Sequence, residues 1–295
     1  MFYLVFLYGN VSFRGIPILH VIISAFAIFY SVYLAYIFII FKNKKILVEY
    51  IMTISFFILL LQRQNIFICL LLFLNMFLAS KRKIKKNERV LKRIYKYLLI
   101  IIILSILLYG FGVVGNMRYG NKWAWNDSSM ISILGKMNQK YPSFLPKEFF
   151  WSYVYIVSPL SNLNENVINI RYGDNVYYFI MEFIPEIIRN NLFSSYVKQS
   201  VLLPVTSLNA STSYVRVYNY FGYIGLYIMY FVQMLICLFT LILTYKNQRK
   251  YFNVVCNIVT YFLIFSFFEN TIVYSTTALL IMYCILCNIK IKKRR

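Results

Sequence analysis

Long uncharged apolar runs alternate with short blocks of lysine and arginine, and this pattern limits what the chain can fold into. Leu98–Leu108 and Leu235–Leu243 carry no charge at all. Hydrophobic residues make up 61% of the chain and charged residues 14%, against about 45–50% and about 25% in soluble domains. So few polar side chains cannot cover the apolar surface of a soluble domain of this length. The expected fold class is an all-α integral membrane protein with about seven transmembrane helices and one large external loop containing short helices.

A span needs about 20 apolar residues to cross a hydrocarbon core of about 30 Å. The first such run is Pro17 to Phe41. The stretch from Ile46 to Ser80 is apolar apart from Glu49 and the central Gln62-Arg63-Gln64-Asn65. Further spans are expected at Tyr97 to Gly115, Tyr220 to Tyr245, Phe252 to Phe268 and Thr271 to Ile289. The basic blocks at 42–45, 81–96, 246–250 and 290–295 hold twenty positive charges, and the short opposite segments hold only Arg14 and Arg63. The positive-inside rule puts all four blocks in the cytoplasm. The stretch 46–80 then starts and ends inside, so it crosses twice and turns at Gln62 to Asn65. The expected divisions are transmembrane residues 1–115, an external loop 116–219, and residues 220–295 with further spans and a basic tail. Residues 1–8 read as the end of an earlier span, without the features of a cleavable signal peptide.

The net charge of +22 does not point to nucleic acid, because the basic residues punctuate apolar runs instead of forming a stripe on a soluble fold. All five cysteines lie inside apolar runs, and the pair Cys284 and Cys287 reads as packing. The single histidine, His20, reads as interfacial. No metal cluster and no glycine-rich phosphate loop appear in the sequence, so neither a metal nor another cofactor is expected.

The external loop is too apolar and aromatic for disorder. Phe144 to Ile156 and Val176 to Phe193 are expected as helices on or in the membrane surface. Glu182, Glu186 and Arg189 would share one edge of the second. The outward-facing arginines are Arg63, Arg118, Arg171, Arg189 and Arg216. Arg63 sits between two crossings of about 15 residues, each about 23 Å long, so its turn lies below the membrane surface. A charge there is costly unless it meets a polar cavity or a partner. Guanidinium groups bind phosphate through paired donors at any working pH. All three tryptophans, Trp123, Trp125 and Trp151, lie in the same loop and could stack on sugar rings. Glu182, Glu186, Asp174 and Glu269 are equal candidates for a base.

The layout resembles the Wzy-type O-antigen and capsule polymerases over about residues 46 to 289. The resemblance rests on Gln62-Arg63-Gln64-Asn65-Ile66, Gly115-Asn116-Met117-Arg118, the loop segment Tyr153 to Leu163, and Asn209-Ala210-Ser211-Thr212 running into Tyr220-Phe221-Gly222-Tyr223-Ile224-Gly225-Leu226. Members of that family have more spans than this chain. Related ligases carry a histidine before the span that follows the loop, where this chain has Ser211, Thr212 and Ser213. The resemblance implies a polymerase in the bacterial cytoplasmic membrane. It would transfer glycan from undecaprenyl pyrophosphate to another lipid-linked repeat unit. Membrane lipids, a chain-length regulator and a flippase are the implied partners. Arg63, Arg118 and Arg216 would be catalytic. Trp123, Trp125, Trp151, Arg171 and Arg189 would bind substrate. The alternatives are a ligase-type glycan transferase and a flippase or transporter of lipid-linked oligosaccharide.

Overall fold

The computed structural model describes residues 17–60, 62–81, 90–119, 126–138, 140–169, 173, 175–193, 200–206, 208–248 and 251–288. Among the described residues the regular elements are helices and no strand occurs. Helix α1 is Pro17–Phe41, α2 Lys44–Leu59, α3 Arg63–Lys81 and α4 Val90–Tyr119. The loop that follows holds α5 (Ser129–Leu134), α6 (Phe149–Asn169), α7 (Val176–Met181) and α8 (Glu186–Leu192). Helices α9 (Tyr214–Asn247), α10 (Phe252–Phe265) and α11 (Ser275–Leu286) complete the described chain. Ile18–Phe41 and Tyr214–Asn247 are long and apolar enough to cross a membrane, and shorter apolar helical stretches run over Gln64–Ala79, Leu104–Met117, Phe252–Phe265 and Ser275–Leu286.

Helix α1 packs on α2, α3, α10 and α11. The buried core joins Ile28 and Val32 of α1 to Phe57, Leu72, Ile258 and Leu280. Some polar side chains inside this bundle hydrogen-bond across helices. Asn257 Nδ2 donates to the Leu72 carbonyl at 2.7 Å, and Asn288 Nδ2 to Thr244 Oγ1 at 3.1 Å. The outer faces are apolar. Tyr227, Phe231, Phe239 and Ile242 of α9, and Ile22 and Phe26 of α1, are all exposed.

The expected double crossing is a helical hairpin. Tyr50 hydroxyl donates to the Cys69 carbonyl at 2.9 Å and Tyr50 stacks near Phe73, so α2 and α3 run antiparallel. The break comes slightly earlier than expected. Arg63 is the first residue of α3 and not the centre of a turn.

Two expected loop helices are corrected. The one placed at 144–156 runs from 149 to 169. Turns at Pro142 and Pro146 delay its start, with Phe149 N donating to the Pro146 carbonyl. It outlasts its apolar stretch because Asn162 and Asn166, one turn apart, are buried with partners of their own. The helix placed at 176–193 is two helices broken before Pro185. Proline has no N–H and disfavours helix in the preceding residue. Glu182 therefore does not share a helix edge with Glu186 and Arg189.

Helix α9 begins earlier than the expected Tyr220 and is broken at Phe221 and Gly222. Gly222 has φ 57° and ψ −141°, a conformation essentially restricted to glycine. The break turns the first segment against the second. A Cβ on Gly225 would fall 2.2 Å from the Val217 carbonyl oxygen. Arg216 thus lies in a short helical segment folded onto the head of a long one.

Candidate functional site

The helix ends sort into two groups. His20, Gln64, Arg216, Phe265 and Thr276 lie near the ends of α1, α3, α9, α10 and α11 that point away from the basic blocks, and all but Phe265 are near helix starts. All five line one cavity of about 660 Å³. Leu108 and Phe111 of α4 and Ser152, Tyr155 and Ile156 of α6 complete one side. The opposite helix ends lead into Lys42, Lys81, Lys246 and Lys290.

The segment Asn209–Ser213 forms one wall. It has no regular structure of its own except the turn at Ser213, and side chains hold it in place. Asn162 Nδ2 donates to the carbonyls of Leu208 and Ala210 at 2.9 and 2.6 Å. Asn166 accepts from Leu202 N and donates to the Leu202 carbonyl, while Asn219 Nδ2 donates to Asn166 Oδ1 at 3.0 Å. Ser213 N donates to the Ser266 carbonyl at 2.8 Å, and its hydroxyl donates to the Glu269 carbonyl at 2.8 Å. Buried asparagines act here as a substitute for secondary structure, because an amide can serve one backbone donor and one backbone acceptor at once.

Charge is concentrated where α7, α8 and α9 meet. Glu182 is fully buried; Oε1 lies 3.8 Å from Arg189 Nη1, and Oε2 lies 3.9 Å from Arg216 Nη1. Asn270 Nδ2 donates to Glu182 Oε2 at 3.2 Å and to the Glu182 carbonyl at 3.0 Å. Arg189 also faces Glu186 at 3.9 Å and donates to the Met181 carbonyl. A buried carboxylate persists only with such compensation. Arg216 is 19% exposed and lines the cavity; its Nε is buried with no hydrogen-bond partner.

The third carboxylate in the wall is Glu269. Gln64 Nε2 donates to its Oε2 at 3.1 Å, and its Oε1 is buried without a hydrogen bond. Among the described residues it has no ion pair. Burial pushes its carboxyl up to about 7, and the Gln64 hydrogen bond only partly opposes that shift. His20 also lines the cavity and is hydrogen-bonded to Gln62.

Of the residues expected from sequence, Arg216 is in the cavity wall. Arg63 opens α3 between two lining residues, Gln62 and Gln64, and Arg118 is in the last turn of α4; both side chains lie outside the described residues. Arg171, Asp174, Trp123 and Trp125 also lie outside them. Arg189 is 1% exposed in the ion-pair network behind the cavity. Trp151 is buried in a separate cluster with Ile131, Phe150 and Val154. Its Nε1 donates to Asn116 Oδ1 at 2.7 Å, and its ring lies on Gly115, where a Cβ would come within 2.8 Å. It is not part of the cavity lining. Sequence reading placed Gln62 and Gln64 in a turn without a role of their own and did not single out Asn270, because an amide side chain carries no functional signal by itself. The described residues hold no group of histidine, cysteine, aspartate and glutamate that could bind a metal. Comparison with family models, with curated proteins and with solved structures gives no match.

Proposed function

We propose that this chain is a multi-pass membrane glycan transferase that polymerises lipid-linked oligosaccharide repeat units for O-antigen or capsule. The observation that carries this reading is the position of the cavity. It gathers Arg216, three carboxylates and several amides at the helix ends opposite all the basic blocks. With those blocks in the cytoplasm, the cavity opens to the outer side, where exported lipid-linked glycan is held. In this reading seven helices cross the membrane, and the exposed apolar faces of α1 and α9 meet lipid.

The chemistry suits a donor that is already activated. A lipid pyrophosphate leaving group needs charge stabilisation and no nucleotide. Arg216 is pinned by Glu182 on one side and open to the cavity on the other, so its guanidinium is preorganised for phosphate oxygens. Arg63 and Arg118 are proposed to act with it. The amides of Gln62, Gln64, Asn65 and Asn209, with Tyr155 and Phe111, offer the mixed hydrogen-bonding and aromatic surface that sugars need. Arg171, Trp123 and Trp125 are proposed contacts for the rest of the glycan.

The test is the surface glycan of cells lacking the protein. It should collapse to one repeat unit per carrier, with the lipid-linked unit still exported. Absence of exported units indicates a flippase instead. Full-length glycan retained on its lipid carrier indicates a ligase.

A further inference from the structure

Glycan transfer has one further requirement: the attacking hydroxyl must lose a proton. We propose that Glu269 accepts it, in a site shared with Arg216. This assignment rests on the polymerase reading.

Three carboxylates line the cavity: Glu182, Glu186 and Glu269. Glu182 is wholly buried between Arg189 and Arg216 and accepts from Asn270. Its oxygens are already engaged by two guanidinium groups and an amide. Glu186 is 43% exposed and faces Arg189, so it is open to solvent and already paired with a cation. Glu269 differs from both. Among the described residues it has one neutral donor, Gln64, a second oxygen with no hydrogen bond, and no cation beside it. Spare acceptor capacity in a low-dielectric wall is what a proton acceptor needs. Its backbone is fixed independently, by Ser213 Oγ on its carbonyl and by a turn bond from its N–H to the Phe265 carbonyl.

The acceptor hydroxyl oxygen bonds to the anomeric carbon of the donor glycan as the bond from that carbon to the pyrophosphate oxygen breaks. The bonding pair leaves with the pyrophosphate, where Arg216 meets the charge. The hydroxyl proton passes to the Glu269 carboxylate and later to water.

Burial already brings Glu269 to about 7, so its basic form grows in across neutral pH. The other ionisable groups of this wall are Glu182, Glu186, Arg216, His20, Tyr155 and Tyr274. Tyr261 of α10 lies on the helix side of Glu269, and Arg63 opens the same helix as Gln64. His20 lines the same wall, and histidine is the side chain that most often serves as a general base, so its variant is the necessary control.

The test uses the full chain in liposomes with undecaprenyl pyrophosphate-linked oligosaccharide extracted from cells lacking this protein. Initial rates of ladder formation are followed from pH 5 to 9. Wild type should rise through about pH 7 to a plateau. Glu269→Gln should lose at least about 100-fold in kcat, with KM for the lipid-linked unit little changed and no rise through neutral pH. Glu269→Ala should regain activity on adding formate, a small carboxylate that replaces the base but not a packing contact. His20→Gln should keep the rise, and Glu165→Gln, on α6 outside the cavity lining, should match wild type. A Glu269→Gln enzyme with the wild-type rate and profile overturns the assignment and leaves the polymerase reading standing. So does a Glu269→Ala enzyme that folds, is inactive and gains nothing from formate. A wild-type chain that makes no ladder overturns both.

Discussion

Glu182 Oε2 lies 3.9 Å from Arg216 Nη1, and this pair joins the loop helices to the head of α9. Arg189 approaches the same carboxylate from its other oxygen at 3.8 Å. Glu182→Ala leaves the buried Arg189 and part-buried Arg216 without their shared counter-charge. Removing one partner of a buried pair costs about 3–5 kcal/mol, so the variant should unfold at clearly lower temperature in detergent. Arg216→Ala should cost less, because Arg189 and Asn270 still serve Glu182. A Glu182/Arg216 double-mutant cycle should give a coupling of about 0.5–3 kcal/mol. A coupling of zero means the pair does not hold α9 to the loop.

The arginines are expected to act on the transition state, not merely on the headgroups. Losing a well-placed donor of this kind costs about 100- to 1000-fold in rate. Arg216→Ala, Arg63→Ala and Arg118→Ala should each nearly abolish polymer at unchanged protein level. Lysine should rescue only partly, since it presents a point charge where arginine presents a fork. Normal polymer from Arg63→Ala reduces that residue to a headgroup anchor.

Stability should depend on pH through Glu269. Its ordinary value is 4.5 and burial raises it to about 7 in the fold. Between these values the folded chain binds more protons than the unfolded chain. Stability therefore falls as pH rises across this window, and the loss is complete above it. Glu269→Gln should flatten the dependence in thermal unfolding measured from pH 4 to 8. An unchanged slope assigns the effect to another group.

Gly222 should tolerate no side chain. Its φ of 57° with ψ of −141° is strained for any L residue, at about 1–3 kcal/mol. Gly222→Ala should lower the unfolding temperature or displace the segment bearing Arg216, with polymer yield falling in step. Gly225→Ala should do the same through its clash with the Val217 carbonyl. A Gly222→Ala protein with wild-type stability and activity rules out a required break.

Topology can be tested directly. Reporter fusions after Asn87 and after Asn138 should give opposite signals, as the twenty-to-two division of positive charge requires. Equal signals overturn the seven-span arrangement.

The sequence by itself determined the helical character and the approximate place of most long helices. Both follow from properties local to each segment: unbroken apolar runs and the lysines that end them. Pro17–Phe41 was readable to the residue. The pair of helices around 60–63 followed from charge parity alone. Local signals also explain the errors. Pro185 marks the break locally, but the apolar run of 176–193 continues through it. The length of α6 was hidden because its second half is held by asparagines whose partners lie 36 to 53 residues away.

Which polar groups share a cavity was decided only by tertiary structure. Gln64 reaches Glu269 across 205 residues, and Asn270 reaches Glu182 across 88. Pattern within a segment cannot encode such pairs, because an amide or carboxylate looks the same in sequence whether it faces water, an arginine or a cavity. For the same reason four carboxylates were equal candidates in sequence. Packing separated two of them, giving Glu182 its two guanidinium neighbours and Glu269, among the described residues, a single hydrogen-bond donor in Gln64.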